Sequence, residues 1–210
     1  MSDFTDFTTV LKEWANREDW SDALVASFIR GAEEKLNAEL RIDRMIQTDD
    51  ALIASRCAPL PDDWLEMDLV RLVYTSDFYP SGFAPIDYKP RAEFFSTPDS
   101  AAFGFYTIEG RQIFLGGTPN STDGQTVRID YYGEVPVFSD TVPSWVYSKY
   151  QSLYRYASLM HADLHALGEE QTASMLKQLC EDEIQKLNAA HRYSRASGSR
   201  LSRTRTRSFG

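Results

Sequence analysis

Residues 141–191 form a long segment with apolar residues at helical spacing, and this segment limits what the chain can fold into. A run of apolar residues at three- and four-residue intervals predicts amphipathic helices with one buried side each. Gly168 interrupts the run and predicts the end of the first helix. The first helix opens at Pro143, Ser144 and Trp145, and its stripe continues through Val146, Tyr150, Leu153, Tyr154, Ala157, Met160 and Leu164. The second stripe comprises Ala173, Leu176, Cys180, Ile184, Leu187 and His191.

The partner of this segment is a helix predicted near the other end of the chain, from Ser21 to Met45. Ser21 suits the N-cap, and Asp22 places a negative charge in the first turn, where the helix dipole favours it. The apolar stripe of this helix comprises Val25, Ile29, Ala32, Leu36 and Leu40. The charged residues between these positions, including Glu33 and Glu34, are expected on the solvated faces of the helix. A shorter helix is predicted over residues 3–15.

The middle of the chain has strand and turn character. Strands are predicted over residues 51–58, 64–74 and 85–88, a brief helix after Pro90, a hairpin of 103–108 with 112–115, and a strand over 126–132. The fold class is therefore α+β: a helical bundle from the two ends of the chain, with an inserted small antiparallel sheet. At 210 residues we expect one domain over 1–191, with a helical body of 1–48 and 141–191 and a β-rich insertion of 49–140.

Charge divides the chain into an acidic body and a basic tail. The net charge is −9, yet residues 1–191 hold 16 of the 22 basic residues and all 31 acidic ones, a net charge of −15. We call residues 192–210 the arginine arm. Few apolar residues occur there, so we expect it to be disordered when free and to fold on binding to carboxylates or phosphates. Its candidate binding residues are Arg192, Arg195, Arg200, Arg203, Arg205, Arg207 and the apolar anchor Phe209. A tail that only aids solubility is the alternative.

Several classes of protein are excluded or disfavoured. A membrane-spanning helix needs about eighteen or more consecutive apolar residues, and no run in this sequence approaches that length. The acidic N-terminus lacks the pattern of a signal peptide. Cys57 and Cys180 do not make a disulfide framework, and we expect buried thiols in a reducing cytoplasm, with an inter-subunit disulfide left open.

The motifs in this sequence that resemble catalytic or metal sites each lack residues that such a site requires. His161 and His165 lie one helical turn apart, but zinc needs three or four ligands and the sequence places no third. Ser174 and Lys177 match Ser-x-x-Lys without its companion motifs, and the sequon at Asn120 predicts only a polar turn. We therefore predict no catalytic site, no cofactor and no metal.

Three stretches resemble the head-to-tail adaptor, or connector, proteins of tailed bacteriophages. The first is the helix of residues 20–45, with a kernel of Phe28-Ile29, Ala32-Glu33, Leu36-Asn37, Leu40-Arg41 and Arg44-Met45. The others are the turn at 61–66 before a strand, and Tyr131-Tyr132-Gly133 followed by Pro143-Ser144-Trp145. The similarity spans Trp14 to His191, and its stretches occur in the same order as in the adaptor proteins.

The resemblance implies a structural virion protein at the head-to-tail junction, assembled in the cytoplasm of the host bacterium. Such adaptors form a ring, typically dodecameric, beneath the portal, and their C-terminal segment reaches the portal while the β-rich part faces tail or neck proteins. Double-stranded DNA would pass through the channel without specific binding, because an acidic wall repels it. Two other functions stay open: nucleic-acid binding through the arginine arm, and a metal-dependent enzyme at His161 and His165.

Overall fold

The computed structural model describes residues 3–76, 79–97, 104–116, 124–166 and 170–205. Over these residues the chain is α+β, as predicted, and it divides into two compact units. The helical unit consists of Met1–Asp43 and Val135–Gly210, and the β unit is Arg44–Glu134.

The helical unit begins with two helices, α1 (Asp3–Ala15) and α2 (Asp22–Glu39), close to the ranges predicted. Ser21 is the N-cap, since its Oγ accepts a hydrogen bond from the Leu24 N–H at 3.2 Å. The predicted stripe is buried, with Val25, Ile29, Ala32 and Leu36 all at 1% exposure or less. The predicted end at Met45 is wrong, because Leu40 takes extended backbone angles and stops the helix after Glu39.

After the short helix α3 (Arg91–Ser96) of the β unit, the second half of the helical unit contains α4 (Trp145–Lys149), α5 (Gln151–Ala166) and α6 (Glu170–Arg205). Ser144 caps α4 by accepting from the Tyr147 N–H at 3.2 Å. The single helix predicted here is divided at Tyr150, whose backbone leaves the helical region. The predicted break at Gly168 lies outside the described residues. Helix α5 contacts both α2 and α6, and α1 contacts α2 and α5.

An aromatic cluster fills part of the helical core. Phe7 of α1 packs against Tyr147 of α4 and Tyr154 of α5, with ring centroids 4.6 and 5.3 Å apart. Phe138, from the extended segment before α4, lies 5.5 Å from Tyr147 and 6.0 Å from Tyr154. Aromatic pairs at these separations stabilise by about 0.5–1.5 kcal/mol beyond their burial.

The described residues of the β unit form two four-stranded sheets rather than the one predicted. The strands are β1 (Ile46–Leu52), β2 (Cys57–Pro59), β3 (Trp64–Ser76), β4 (Tyr79–Pro85), β5 (Asp87–Tyr88), β6 (Phe105–Glu109), β7 (Gln112–Leu115) and β8 (Thr126–Gly133). The first sheet has the order β1-β8-β3-β4, and the second has the order β2-β7-β6-β5. The first sheet is antiparallel throughout, whereas β5 runs parallel to β6. The short helix α3 (Arg91–Ser96) confirms the prediction after Pro90.

Both sheets contribute to one apolar cluster, and the cluster lies entirely within the β unit. Val70 and Ile129 of the first sheet and Ile113 of the second are at 1% exposure or less. The predicted strand over 51–58 is wrong. The structure breaks it at Ser55 and Arg56, which connect a bridge between Ala54 and Cys57 and both have a positive φ, as the hairpin turn of this length requires.

Candidate functional site

Residues 192–205 of the arginine arm belong to helix α6. Helix α6 continues to Arg205, so the predicted disorder from Arg192 is not confirmed. The side chains of Arg192 and Arg195 are exposed, and Arg200, Arg203 and Arg205 belong to the same helix. Arg207 and Phe209 lie outside the described residues.

Helical extension has a physical reason. Adding a residue to an existing helix avoids the nucleation cost, and arginine and alanine are good helix formers. Cations near the C-terminal end also interact favourably with the helix dipole. With 3.6 residues per turn, positions 192 and 195 fall on one side of the helix. Helix formation therefore places Arg192 and Arg195 on the same side, which sequence spacing in a disordered chain does not do.

Asn188 fixes the base of the arm to the end of helix α2. Its Nδ2 donates to the Glu39 carbonyl at 2.8 Å, and its Oδ1 accepts from the Arg41 N–H at 2.7 Å. One amide side chain thereby satisfies a carbonyl at the C-terminal end of α2 and the amide just beyond it. Sequence analysis missed Asn188, although a polar residue beside Leu187 and His191 on a buried stripe is a usable signal.

His191 provides a second fixed point, one turn further along. Its Nδ1 lies 2.8 Å from Asp43 Oδ1, and the residue is 6% exposed. Sequence analysis placed His191 on the buried stripe, and the structure agrees. The arm therefore begins at a base that two side-chain contacts hold in position.

A buried carboxylate connects helix α2 to helix α5. Glu33 of α2 is 4% exposed, and its Oε1 accepts from the Phe138 N–H at 2.6 Å and from the Tyr154 hydroxyl at 2.7 Å. Burial raises the pKa of Glu33, while the two hydrogen bonds oppose that shift. The pKa of Tyr154 is raised by burial and by the adjacent carboxylate. The expectation that Glu33 is solvated is therefore wrong. It follows Ile29 by four residues, so it belongs to the buried stripe.

The side chain of His161, one member of the predicted histidine pair, packs against a neighbouring helix. A Cβ on Gly31 would lie 2.8 Å from His161 Nδ1, so the imidazole of α5 rests on the backbone of α2. The side chain of His165 lies outside the described part of the chain. Among the described residues, no group of three or more His, Cys, Asp and Glu side chains is placed to hold a metal ion.

The two cysteines are thiols in different units. Cys180 is fully buried in α6, and burial raises its pKa to about 11. Cys57 of β2 is only half-buried. The expectation of two buried thiols therefore holds for Cys180 and not for Cys57.

Comparison with known protein families identifies the family of this chain. A family model described as SU10 adaptor protein matches residues 2–207, nearly the whole chain. The chain belongs to this family. The SU10 adaptor match confirms the resemblance to phage head-to-tail adaptors. No curated protein matches the chain.

Membership of the SU10 adaptor family defines a broad role. A phage adaptor is a structural component of the virion, and the family implies contacts with other virion proteins such as portal and tail. None of the described helices is both long and apolar enough to cross a membrane.

Proposed function

We propose that this adaptor forms a ring, dodecameric as in the proteins it resembles, beneath the portal, where it links the capsid to tail or neck proteins. In this proposal residues 192–210 are the portal-docking arm and residues 1–191 the adaptor domain. The observation that carries the proposal is the arm itself: a helix held at its base by Asn188 and His191, with arginines beyond them.

The chemistry of the arm suits an acidic protein surface. Guanidinium groups pair with carboxylates through two parallel hydrogen bonds, and Arg192 and Arg195 are exposed for such pairing. The arm contains no acidic residue, so no side-chain carboxylate within it competes for the arginines. A helix fixed at its base also loses less conformational freedom on docking than a disordered segment does.

The body of the ring would leave DNA unbound. Residues 1–191 carry a net charge of −15, and like charge raises the energy of a duplex close to such a surface. We propose that double-stranded DNA passes through the channel without specific binding. Catalysis is not part of this proposal, because the adaptor family is structural.

Electron microscopy of the adaptor mixed with its portal ring tests the proposal. We expect a symmetric collar with the full chain and none with the chain truncated after His191. The variant Arg192→Glu with Arg195→Glu should weaken collar formation. A matched control, Lys177→Glu with Lys186→Glu, changes the charge equally at exposed positions of the same helix and should leave the collar intact.

The outcomes separate the arm from the rest of the proposal. A collar with the truncated chain would remove the docking role of the arm. No collar with any variant, combined with DNA retention by the full chain alone, would favour the nucleic-acid alternative. In that case affinity should fall by about 10³ or more between low and physiological salt if six phosphates are neutralised.

A further inference from the structure

Helix α6 exposes apolar side chains on a side that differs from its buried stripe. Met175 and Leu179 are 55% and 38% exposed. At 3.6 residues per turn, these two residues and Asp182 fall within about 60° of one another around the helix axis. The buried residues Leu176 and Cys180 lie on another side of the helix. We call Met175, Leu179 and Asp182 the α6 stripe, and it gives α6 a second apolar surface beside its buried one.

Asp182 is the charged residue of the α6 stripe. Its neighbour Glu181 lies 3.9 Å from the Nζ of Lys177. Its other neighbour, Glu183, lies 3.9 Å from the Nζ of Lys186. Within the described part of the chain, the exposed carboxylate of Asp182 forms no hydrogen bond and no ion pair. The α6 stripe therefore combines two apolar side chains with a negative charge that its own chain does not pair.

A second exposed surface of the helical unit is centred on Trp14 of α1. Phe7 and Leu11 of the same helix are at 1% exposure or less, whereas Trp14 is 58% exposed. The guanidinium of Arg155, from helix α5, lies over the indole with its Cζ 4.3 Å from the ring centroid. Such a cation–π contact fixes both side chains in one orientation. We call Trp14 and Arg155 the Trp14 patch.

Arg155 contributes a positive charge that the described residues leave without a carboxylate. Its Nε is buried and has no hydrogen-bond partner. Among the residues that the structure describes, the guanidinium forms no ion pair, whereas Arg17 pairs with Asp19 at 2.8 Å. A charged group that is partly removed from water loses hydration that hydrogen bonds must replace. A carboxylate placed beside the Trp14 patch would supply them in a short, charge-assisted form.

We propose that the α6 stripe of one copy packs against the Trp14 patch of a second copy. The carboxylate of Asp182 pairs with Arg155, and Met175 and Leu179 cover the exposed part of the Trp14 ring. The two surfaces are complementary, because each combines apolar area with one unpaired charge, and the two charges are opposite. The thioether of methionine makes favourable contacts with aromatic rings. Tryptophan and arginine are also the residues that most often dominate the energy of protein interfaces.

The two surfaces belong to different helices of one unit, so their contact is head-to-tail. Repetition of such a contact closes a ring when the rotation per subunit divides a full turn. This inference rests on the proposed function, since it names the contact between neighbours in the proposed ring. It involves no residue of the arginine arm, so the docking role of the arm and this contact fail independently.

Hydroxyl-radical footprinting tests the contact residue by residue, because methionine and tryptophan side chains oxidise readily when exposed. The full chain is oxidised free in dilute solution and as the collar assembled with the portal ring, and mass spectrometry locates the products. We expect Met175 and Trp14 to react in the free chain and to be protected in the collar. Phe95 is a reference for radical dose, since it is 60% exposed and belongs to the β unit.

The footprint separates this inference from the proposed function. A collar in which Met175 and Trp14 stay reactive would overturn the contact and leave the adaptor role intact. Protection of one of the two alone would also overturn it, because the contact covers both surfaces at once. Protection of both in the concentrated chain, without a collar on the portal ring, would support the contact and remove the portal role. Neither protection nor a collar would overturn both.

A charge exchange tests the pairing of Arg155 with Asp182. Arg155→Glu and Asp182→Arg should each raise the adaptor concentration needed for half-complete collars by about tenfold or more, because like charges then meet. The double variant should recover most of this loss. Arg155→Glu also alters the contact with Trp14 within its own chain, but the double variant shares that change, so recovery reports the pairing. Circular dichroism verifies that each chain is folded.

Two matched controls make the exchange specific. Arg155→Glu with Glu183→Arg carries the same charges, but position 183 lies about 100° around the helix from Asp182 and should restore little. Lys186→Glu adds a carboxylate one turn beyond Asp182, so it should leave collar formation with the unchanged Arg155 intact. Equal recovery by both double variants, or no recovery by a folded Arg155→Glu, Asp182→Arg chain, would contradict the pairing.

Discussion

At the scale of single residues, Glu33 joins three segments of the helical unit. It belongs to α2 and holds the backbone of Phe138 and the hydroxyl of Tyr154 through one oxygen. Four residues later on the same helix, Asn37 Oδ1 accepts from the Val135 N–H at 2.8 Å. Glu33 and Asn37 thus supply hydrogen-bond acceptors for the backbone amides of the extended segment 135–138, in place of the carbonyl groups of a helix or sheet. A buried amide without such a partner costs about 1–3 kcal/mol.

Replacement of Glu33 should separate hydrogen bonding from charge. Glu33→Ala leaves the Phe138 amide and the Tyr154 hydroxyl without their acceptor and should lower the free energy of unfolding by about 2–5 kcal/mol. Glu33→Gln keeps an acceptor oxygen and removes the buried charge, so its cost should be much smaller. Urea unfolding of the two variants and the unchanged chain measures this, and equal losses for Ala and Gln would contradict it.

The same variants predict a pH dependence. Burial raises the pKa of Glu33 in the folded state above its unfolded value, so the folded state binds a proton more readily. The stabilisation from protonation is complete below the unfolded pKa and is lost as pH rises through the raised folded pKa. Over that window the unfolding free energy of the unchanged chain should fall with pH relative to Glu33→Gln. A constant difference between the two across the window would show that burial does not shift this group.

At the scale of elements, the packing of α2 on α5 depends on a residue without a side chain. Gly31 lies inside a helix, where alanine would be more favourable by about 1 kcal/mol on propensity alone. The His161 ring fills the space that a Cβ would need, with atoms 2.8, 2.9 and 3.0 Å from its position. Close contact between these helices thus takes precedence over helix propensity.

Gly31→Ala should destabilise the helical unit in spite of the better propensity, by about 1–3 kcal/mol, because the added methyl group forces the two helices or the His161 ring apart. The double variant Gly31→Ala, His161→Ala should be more stable than the sum of the two single changes predicts. Thermal unfolding of the four chains completes the double-mutant cycle. A stabilised Gly31→Ala would show that the ring moves away at little cost.

Elements were predictable where their signal is local. The stripe of α2, its Ser21 cap and the alternation of Val127 and Ile129 in β8 depend on residues a few positions apart, and the structure confirms them. Strand β1 was missed, because it shows a single buried residue, Ala51, and no alternation. The pairing of strands into two sheets was also wrong, since alternation fixes the buried face of a strand and not its neighbour.

The candidate site was predictable in composition and not in conformation. Six arginines without an acid identify the arm, but the end of α6 depends on whether a helix already exists at His191. Asn188 and its partner Arg41 are 147 residues apart in the chain and meet only through the fold. Side-chain contacts between distant segments leave no periodic signal in a sequence.

At the scale of the whole molecule, the β unit has the features of a segment that folds without the rest. The described members of its apolar cluster, from Ala51 to Tyr131, all belong to the β unit. Its two ends are neighbours, because Ile46 and Tyr132 are paired in the first sheet. Paired residues of antiparallel strands have Cα atoms about 4.5–5.5 Å apart. A unit with a complete core and adjacent ends can be removed from a chain without pulling the remainder apart.

We therefore expect residues 44–134 to fold when expressed alone, and the helical unit to fold when a short Gly/Ser linker joins Asp43 to Val135. A few residues of linker suffice, since each extended residue spans about 3.3–3.6 Å. Both pieces should unfold cooperatively in urea and should show protected amides in hydrogen exchange, at the pairs of β3 with β8 in one and at α2 and α5 in the other. A matched control is the β unit with Ile129→Asp, which places a charge in its core and should not fold. If the unaltered β unit resembles this control, its stability depends on the helical unit, and the two units form a single cooperative domain.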